Sequence, residues 1–218
     1  MRFSVVYRPT ALFSLRDSNS TSSGAKSLFL PSPYAIKMAF INQAISIGGK
    51  DFNSNSALFS IIRDAKITYY IQGCFCLNNC FVKIQKKRSD SDPFVSTVSY
   101  REYAYLNKDI EIIFDVQDEN CVNSLKRYLY LINQFGKRGC FCQFVRYNDC
   151  PPESNVSLFN VSDFKFGILQ EFDDFENNVQ FENVNNYSET KTKRKKLIYL
   201  LPLVKVSSSK AYSLYKVK

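Results

Sequence analysis

Two cations set between two glycines, Gly136-Lys137-Arg138-Gly139, are the residues whose types and spacing point most directly to chemistry. Gly136 suits the left-handed position that ends helices, and Gly139 lets backbone or a ligand come close. A helix-like run delivers the chain to this turn, and an aromatic, alternating strand carries it away toward Arg146. Lys137 and Arg138 therefore stand at the tip of a tight turn held from both sides. That suits a grip on a phosphate chain. It suits equally an ordinary turn with solvated cations near a helix C-terminus, and taken alone these residues favour the ordinary turn.

Other chemistries find less support. The 218 residues contain no histidine, which removes the commonest general acid and base and rules out Ser-His and Cys-His nucleophile pairs. Neither G-x-x-x-x-G-K-[ST] nor G-x-G-x-x-G occurs. Asp173-Asp174 and the scattered acids form no motif for a divalent metal. Seven cysteines are an odd number, so a complete intramolecular disulfide framework is excluded. Two C-x-C pairs, Cys74/Cys76 and Cys140/Cys142, lie in strand-like runs that put both sulfurs of each pair on one face. Without C-x-x-C spacing or histidine they read as buried reduced thiols in a cytoplasmic setting, with no metal or cofactor implied. A ribonuclease using tyrosine and lysine stays open, because RNA carries its own 2′-OH nucleophile. Binding is the better reading.

The charge agrees with binding. Net charge is +9, from 29 Lys and Arg against 20 Asp and Glu. Residues 1–150 carry +7, residues 151–189 carry −7 and residues 190–218 carry +9. A positive globular part favours an anionic partner such as nucleic acid or an acidic protein surface. The acidic and basic blocks that follow can also pair with each other. With 45% hydrophobic and 15% aromatic residues the chain is globular, and no apolar run approaches the ~20 residues that span a bilayer.

The elements that must position these residues read in order as follows. Residues 2–15 open as a strand broken near Pro9, and residues 17–26 form a polar loop. Ser32 caps and Pro33 begins a helix over residues 34–47, with Ile36, Ala39, Phe40, Ala44 and Ile47 on one face and Gly48-Gly49 as its stop. Lys37 sits one turn in, as a surface lysine or a phosphate contact. Asn53 to Ser56 offers a cap for a second helix over residues 57–66. Residues 67–73 and 80–87 read as strands turned by Leu77-Asn78-Asn79, ending in Lys86-Lys87-Arg88. Residues 94–106 form a long strand with Arg101, Tyr103 and Tyr105 on one face and Tyr100, Glu102 and Ala104 on the other. Asn107-Lys108-Asp109 turns it into residues 110–116 as the clearest hairpin. Asp118 then caps a helix carrying Cys121, Leu125, Tyr128, Leu129 and Ile132.

This order predicts an α+β fold of the ferredoxin-like (RRM-like) plan β-α-β-β-α-β, with extended β-hairpins, over residues 1–150. Residues 151–218 form a small, mostly β C-terminal extension, acidic then basic, with strand-like runs at 158–161, 164–169 and 197–206.

Three stretches then carry a resemblance: Pro31-Ser32-Pro33-Tyr34-Ala35-Ile36-Lys37-Met38-Ala39-Phe40, the strand containing Ser99-Tyr100-Arg101-Glu102-Tyr103, and Phe135-Gly136-Lys137-Arg138-Gly139. In this order and on this plan, residues 1–148 resemble the CRISPR-associated RAMP proteins, above all the family-five subunit of type I Cascade-like complexes. The resemblance implies a non-catalytic, cytoplasmic subunit for antiviral defence that grips the five-prime handle of the guide RNA. It would contact backbone RAMP subunits and the large subunit, meet target DNA only through the complex, and have no membrane partner. By position it points to Tyr34, Lys37, Lys86, Lys87, Arg88, Arg101, Tyr103, Lys137 and Arg138 as RNA-binding residues. Handle bases would stack on tyrosine while the cations hold phosphates. A metal-independent endoribonuclease acting on repeat RNA, and a scaffold subunit without RNA contact, are the alternatives.

Overall fold

The computed structural model describes residues 1–18, 26–48, 56–87, 94–161, 166–184 and 194–218. It is a mixed α+β chain in which three antiparallel sheets share one hydrophobic core. Among the described residues no helix is long and apolar enough to cross a membrane.

The first sheet is built from β1 (Arg2–Pro9), β2 (Lys66–Tyr70), β5 (Ile110–Asp115) and β6 (Cys142–Asn148), in the order β2-β5-β1-β6. Each neighbouring pair is antiparallel. That order, with helices between β1 and β2 and between β5 and β6, is the expected ferredoxin-like plan. β5 lies between two partners, with Ile110, Ile112 and Phe114 on the core face and Glu111, Ile113 and Asp115 on the other, and five of its six residues are buried. Helices α1 (Pro33–Gly48), α2 (Ser56–Asp64) and α3 (Glu119–Leu129) cover one face. Phe3, Val5 and Tyr7 of β1 turn toward them, Phe3 stacks on Phe114 at 5.3 Å, and the buried Tyr7 hydroxyl donates to the Leu129 carbonyl at 2.6 Å.

Both expected caps form. Ser32 Oγ accepts from the Ala35 amide at 3.2 Å, and Asp118 Oδ1 accepts from the Cys121 amide at 2.9 Å. The proposed cap at 53–56 lies outside the described residues, apart from the backbone of Ser56 at the start of α2. Ile36, Phe40 and Ala44 are buried as expected, but Ile47 at the end of α1 is exposed.

Two expected hairpins do not form. β3 (Cys74–Lys86) runs straight through Leu77-Asn78-Asn79 and pairs with β4 (Val95–Leu106) from Phe75↔Leu106 to Lys86↔Val95. Asn107-Lys108-Asp109 does not join a hairpin, because β4 belongs to the second sheet while β5 belongs to the first. Period-two alternation tells which faces a strand presents and says nothing of which strand lies beside it. The faces themselves came out as expected: Glu102, Ala104 and Leu106 are buried, and Arg101, Tyr103 and Tyr105 look outward.

The extension supplies strands to two sheets. β10 (Leu203–Ser208) and β11 (Tyr212–Val217) form a hairpin that adds to β3, giving the second sheet the order β10-β11-β3-β4. β11 pairs only with residues 74–78, so β3 and β4 continue beyond it as a two-stranded arm. The third sheet, β7-β9-β8, comprises β7 (Ser157–Leu158), β8 (Ile168–Phe175) and β9 (Arg194–Leu201); a short helix, α4 (Phe181–Val184), follows β8. The strand expected at 164–169 thus lies further on, and the run at 197–206 is divided at Pro202, whose missing amide suits a break between strands. β8 and β9 place the acidic block directly against the basic one, Asp173 opposite Lys196 and Asp174 opposite Lys195. The two blocks do pair with each other.

Candidate nucleic-acid interface

The Lys137-Arg138 turn is a small hairpin. The Phe135 amide donates to the Cys140 carbonyl at 3.1 Å, and the Cys140 amide returns to the Lys137 carbonyl at 3.4 Å. Phe135 is fully buried edge-on to Tyr7, with ring centroids 5.1 Å apart, and anchors the turn in the core. Gly136 and Gly139 both have positive φ, +69° and +100°. Gly136 lies well past the end of α3 at Leu129, so it serves the hairpin and does not cap the helix. A Cβ on Gly136 would come within 2.9 Å of Leu15 Cδ2, whereas one on Gly139 would meet nothing within 4 Å. Lys137 and Arg138 are exposed at the tip.

Lys137 also lines a cavity of about 210 Å³ together with Tyr34, Arg16, Arg194 and Asp173. The Arg194 guanidinium lies 4.0 Å from the centre of the Tyr34 ring, a close cation–π contact, and bonds Asp173 at 3.2 Å. Phe175 meets Tyr34 edge-on at 5.2 Å from the other strand of that sheet. Although Lys137 is exposed overall, partial desolvation of its ammonium beside the cavity lowers its pKa, and the neighbouring positive charge of Arg101 lowers it further. That repulsion places Arg101, at the root of the β3–β4 arm opposite Cys80, in the same electrostatic neighbourhood. Burial pushes the Asp173 carboxyl up, but hydrogen bonds from Lys196, Arg194 and Ser18 outweigh it and hold the group below the usual carboxylate value.

The nine expected RNA-binding residues therefore divide. Tyr34 and Lys137 line one cavity, Arg138 is exposed beside Lys137 at the tip of the turn, and Arg101 is near enough to Lys137 for their charges to repel. Tyr103 shares the outward face of β4 with Arg101 and lies in a row with Asn78 and Tyr212. Lys86 and Lys87 are exposed at the far end of the arm, eight pairs or roughly 26 Å beyond the last residue that β11 supports. Arg88 lies outside the described residues.

Lys37 is a correction. It is 1% exposed, and its ammonium bonds Asp174 at 2.7 Å and the Arg63 carbonyl at 2.8 Å. Burial lowers its pKa against the opposing pull of Asp174. No face of it is open to a phosphate. Its helix carries a third layer, the β7-β9-β8 sheet, on the side that an exposed lysine would need.

Sequence reasoning missed Arg16 and Arg194. The basic block containing Arg194 was visible, but the strand was read only from residue 197, whereas β9 begins at Arg194. The pairing that brings it over Tyr34 depends on a non-local register with β8.

The cysteines also divide. Cys121, Cys140 and Cys142 are buried as expected, Cys74 and Cys76 are half-buried, and Cys80 and Cys150 are exposed. Cys142 lies in the first sheet and Cys74 and Cys76 in the second, so the two C-x-C pairs do not share a sheet.

No family model matches this chain. A CRISPR-associated protein Cas5 from Archaeoglobus fulgidus is 24% identical over 189 residues, covering 82% of this chain and 81% of the relative. Among solved structures, a CRISPR protein from Archaeoglobus fulgidus superposes with a TM-score of 0.46 at 16% identity, covering 100% of this chain and 92% of the other. A chain of the Type III-B Cmr-beta complex bound to cognate target RNA and AMPPnP gives 0.43 at 13% identity, covering 97% and 86%. The resemblance to the CRISPR-associated RAMP proteins, and to family five among them, is thus borne out by a relative named Cas5 that aligns with this chain over most of both lengths.

Proposed function

We propose that this protein is a subunit of a CRISPR effector complex of the type I, Cascade-like kind, and that it holds the five-prime handle of the guide RNA without cutting it. The observation that carries the reading is the convergence of Tyr34, Lys137 and Arg194 on one cavity, with Arg138 exposed beside Lys137 and Arg101 near enough to repel it. Cations within reach of a stacked aromatic ring can hold phosphates while a splayed base packs on the ring. Arg194 already rests on one side of Tyr34, so an entering base would displace or extend that stack. The outward Tyr103 and Tyr212 offer further stacking surface beside Arg101.

The arm has a separate role. Phe81 is 77% exposed and packs edge-on to Tyr100 at 5.3 Å on a two-stranded ribbon. A free ribbon of that kind is marginally stable in water. It gains order by packing on the neighbouring subunits of the complex, with Lys86 and Lys87 at the contact.

The test is to assemble the complex with wild-type protein and with Lys137→Ala/Arg138→Ala, and to measure handle-RNA binding at several salt concentrations. Weaker, less salt-sensitive binding by the variant is expected. Equal binding at every salt concentration would remove the turn from the interface.

A further inference from the structure

The face of the first sheet that points away from the helices carries a second, polar cavity of about 370 Å³. Four residues in register form a row across it. Tyr70 of β2 faces Glu111 of β5, Glu111 faces Val6 of β1, and Val6 faces Arg146 of β6. Arg8 lies two residues along β1 from Val6 and binds Asp109 through Nε and Nη2 at 3.0 and 3.2 Å, leaving Nη1 without a partner in that pair. At the other side Gln72 donates to the Tyr70 hydroxyl at 2.6 Å. The cavity is therefore polarised, with guanidinium groups over β1 and β6 and an acceptor-rich, aromatic end over β2 and β5.

Glu111 gives the second end its character. It is only 9% exposed, and its Oε1 accepts from Ser4 Oγ and from Asn148 Nδ2, which fixes the carboxylate in one orientation. Oε2 takes no hydrogen bond from the described residues, yet it is not sealed from solvent. Among the described residues the only ion pair along this cavity is Arg8–Asp109. Glu111, Lys108 and Arg146 thus line one space as an acceptor and two cations that do not neutralise one another. A ligand that satisfies all three must bring donors to Glu111, negative charge to Arg146 and an acceptor to Lys108, whose stem lies beside Gly73 toward the Tyr70 end.

We infer that this face binds a guanine nucleotide, free or as one residue of an RNA strand, independently of the cleft at Lys137. Guanine presents N1–H and the 2-amino group side by side, and the open Oε2 of Glu111 has two lone pairs to accept both. Adenine puts an acceptor nitrogen beside its amino group and meets the same carboxylate with repulsion. The Tyr70 ring supplies a stacking partner for the base. Three inter-strand gaps put Tyr70 and Arg146 about 14 Å apart along the sheet, room for one nucleotide laid across the strands with its phosphate toward Arg146 and Arg8.

The experiment is calorimetric titration of the full chain with 5′-GMP, 5′-AMP, guanosine and the trinucleotide UGU. Saturable binding of 5′-GMP is expected, with 5′-AMP and guanosine each about tenfold weaker or more. Tighter binding of UGU than of 5′-GMP assigns the site to an RNA strand, and equal binding assigns it to the free nucleotide. Arg146→Ala changes an exposed residue and leaves the fold intact; it should erase the advantage of 5′-GMP over guanosine. Glu111→Gln should erase the advantage of 5′-GMP over 5′-AMP. Equal binding of 5′-GMP and 5′-AMP by wild type, absence of saturable binding, or wild-type affinity for 5′-GMP in Arg146→Ala would each overturn the inference.

Discussion

Lys37 Nζ and Asp174 Oδ1 lie 2.7 Å apart with both side chains withdrawn from solvent, and this pair ties the first helix to the C-terminal extension. Lys195 lies 3.9 Å from the other oxygen of Asp174, so the acid sits between two cations. Removing one member of a buried pair strands the other, which typically costs about 3–5 kcal/mol, whereas exchanging both for apolar groups of similar size is often close to neutral. Lys37→Ala is therefore expected to lower stability by about 3 kcal/mol or more. Lys37→Met with Asp174→Leu should recover most of that loss. Denaturant unfolding of the single and double variants checks this, and similar midpoints for Lys37→Ala and wild type would mean that the pair contributes nothing.

The same residue marks how far the sequence could be read. The ferredoxin-like order was legible because its signals are local: Ser32-Pro33 starts a helix, Asp118 starts another, and residues 110–116 alternate as a strand. The cleft was legible in part for the same reason, since Gly136 and Gly139 announce a special turn and Tyr34 lies one residue past a capped helix start. Lys37 was misread because its burial is imposed by β8, more than 130 residues later, and helical periodicity sees only its own helix. The two false hairpins have a similar origin. Leu77-Asn78-Asn79 has turn-forming residues, but strand pairing with both β4 and β11 overrides that preference. Arg194 was hidden by the reverse problem, a strand start inside a run of like charges whose position over Tyr34 depends on register.

The Gly136 and Gly139 turn yields a graded prediction. Both glycines hold positive φ, so alanine at either strains the backbone by about 1 kcal/mol or more. At Gly136 the new methyl also presses on Leu15 Cδ2 at 2.9 Å, while at Gly139 it enters open space. Gly136→Ala should lower the melting temperature more than Gly139→Ala, and both should weaken handle-RNA binding by misplacing Lys137 and Arg138. A larger loss for Gly139→Ala would contradict the packing argument.

The proposed grip on RNA predicts a change in salt dependence. Each phosphate neutralised on a single strand contributes about 0.7 to the slope of log K against log salt. If Lys137 and Arg138 each hold one, the double alanine variant should bind with a slope smaller by about 1.4. Thermal unfolding should be unaffected, because neither side chain is buried. An unchanged slope with weaker binding would mean that these cations act by shaping the turn.

Acid should loosen the extension through Asp173. Its folded pKa is held below the ordinary 3.8 by Lys196, Arg194 and Ser18, which outweigh the effect of burial. The unfolded chain therefore takes up the proton first as pH falls. The stabilisation is fully present above about pH 3.8 and is lost as pH drops through the lower folded value. Asp173→Asn should show a shallower fall of the denaturation midpoint than wild type as pH drops below about 3.8, together with a lower midpoint at pH 6. Because Arg194 would lose its carboxylate partner yet keep its place over Tyr34, the variant should retain measurable handle-RNA binding at pH 7. Complete loss of binding in a folded Asp173→Asn protein would show that the acid, and not the ring, positions Arg194 in the cleft.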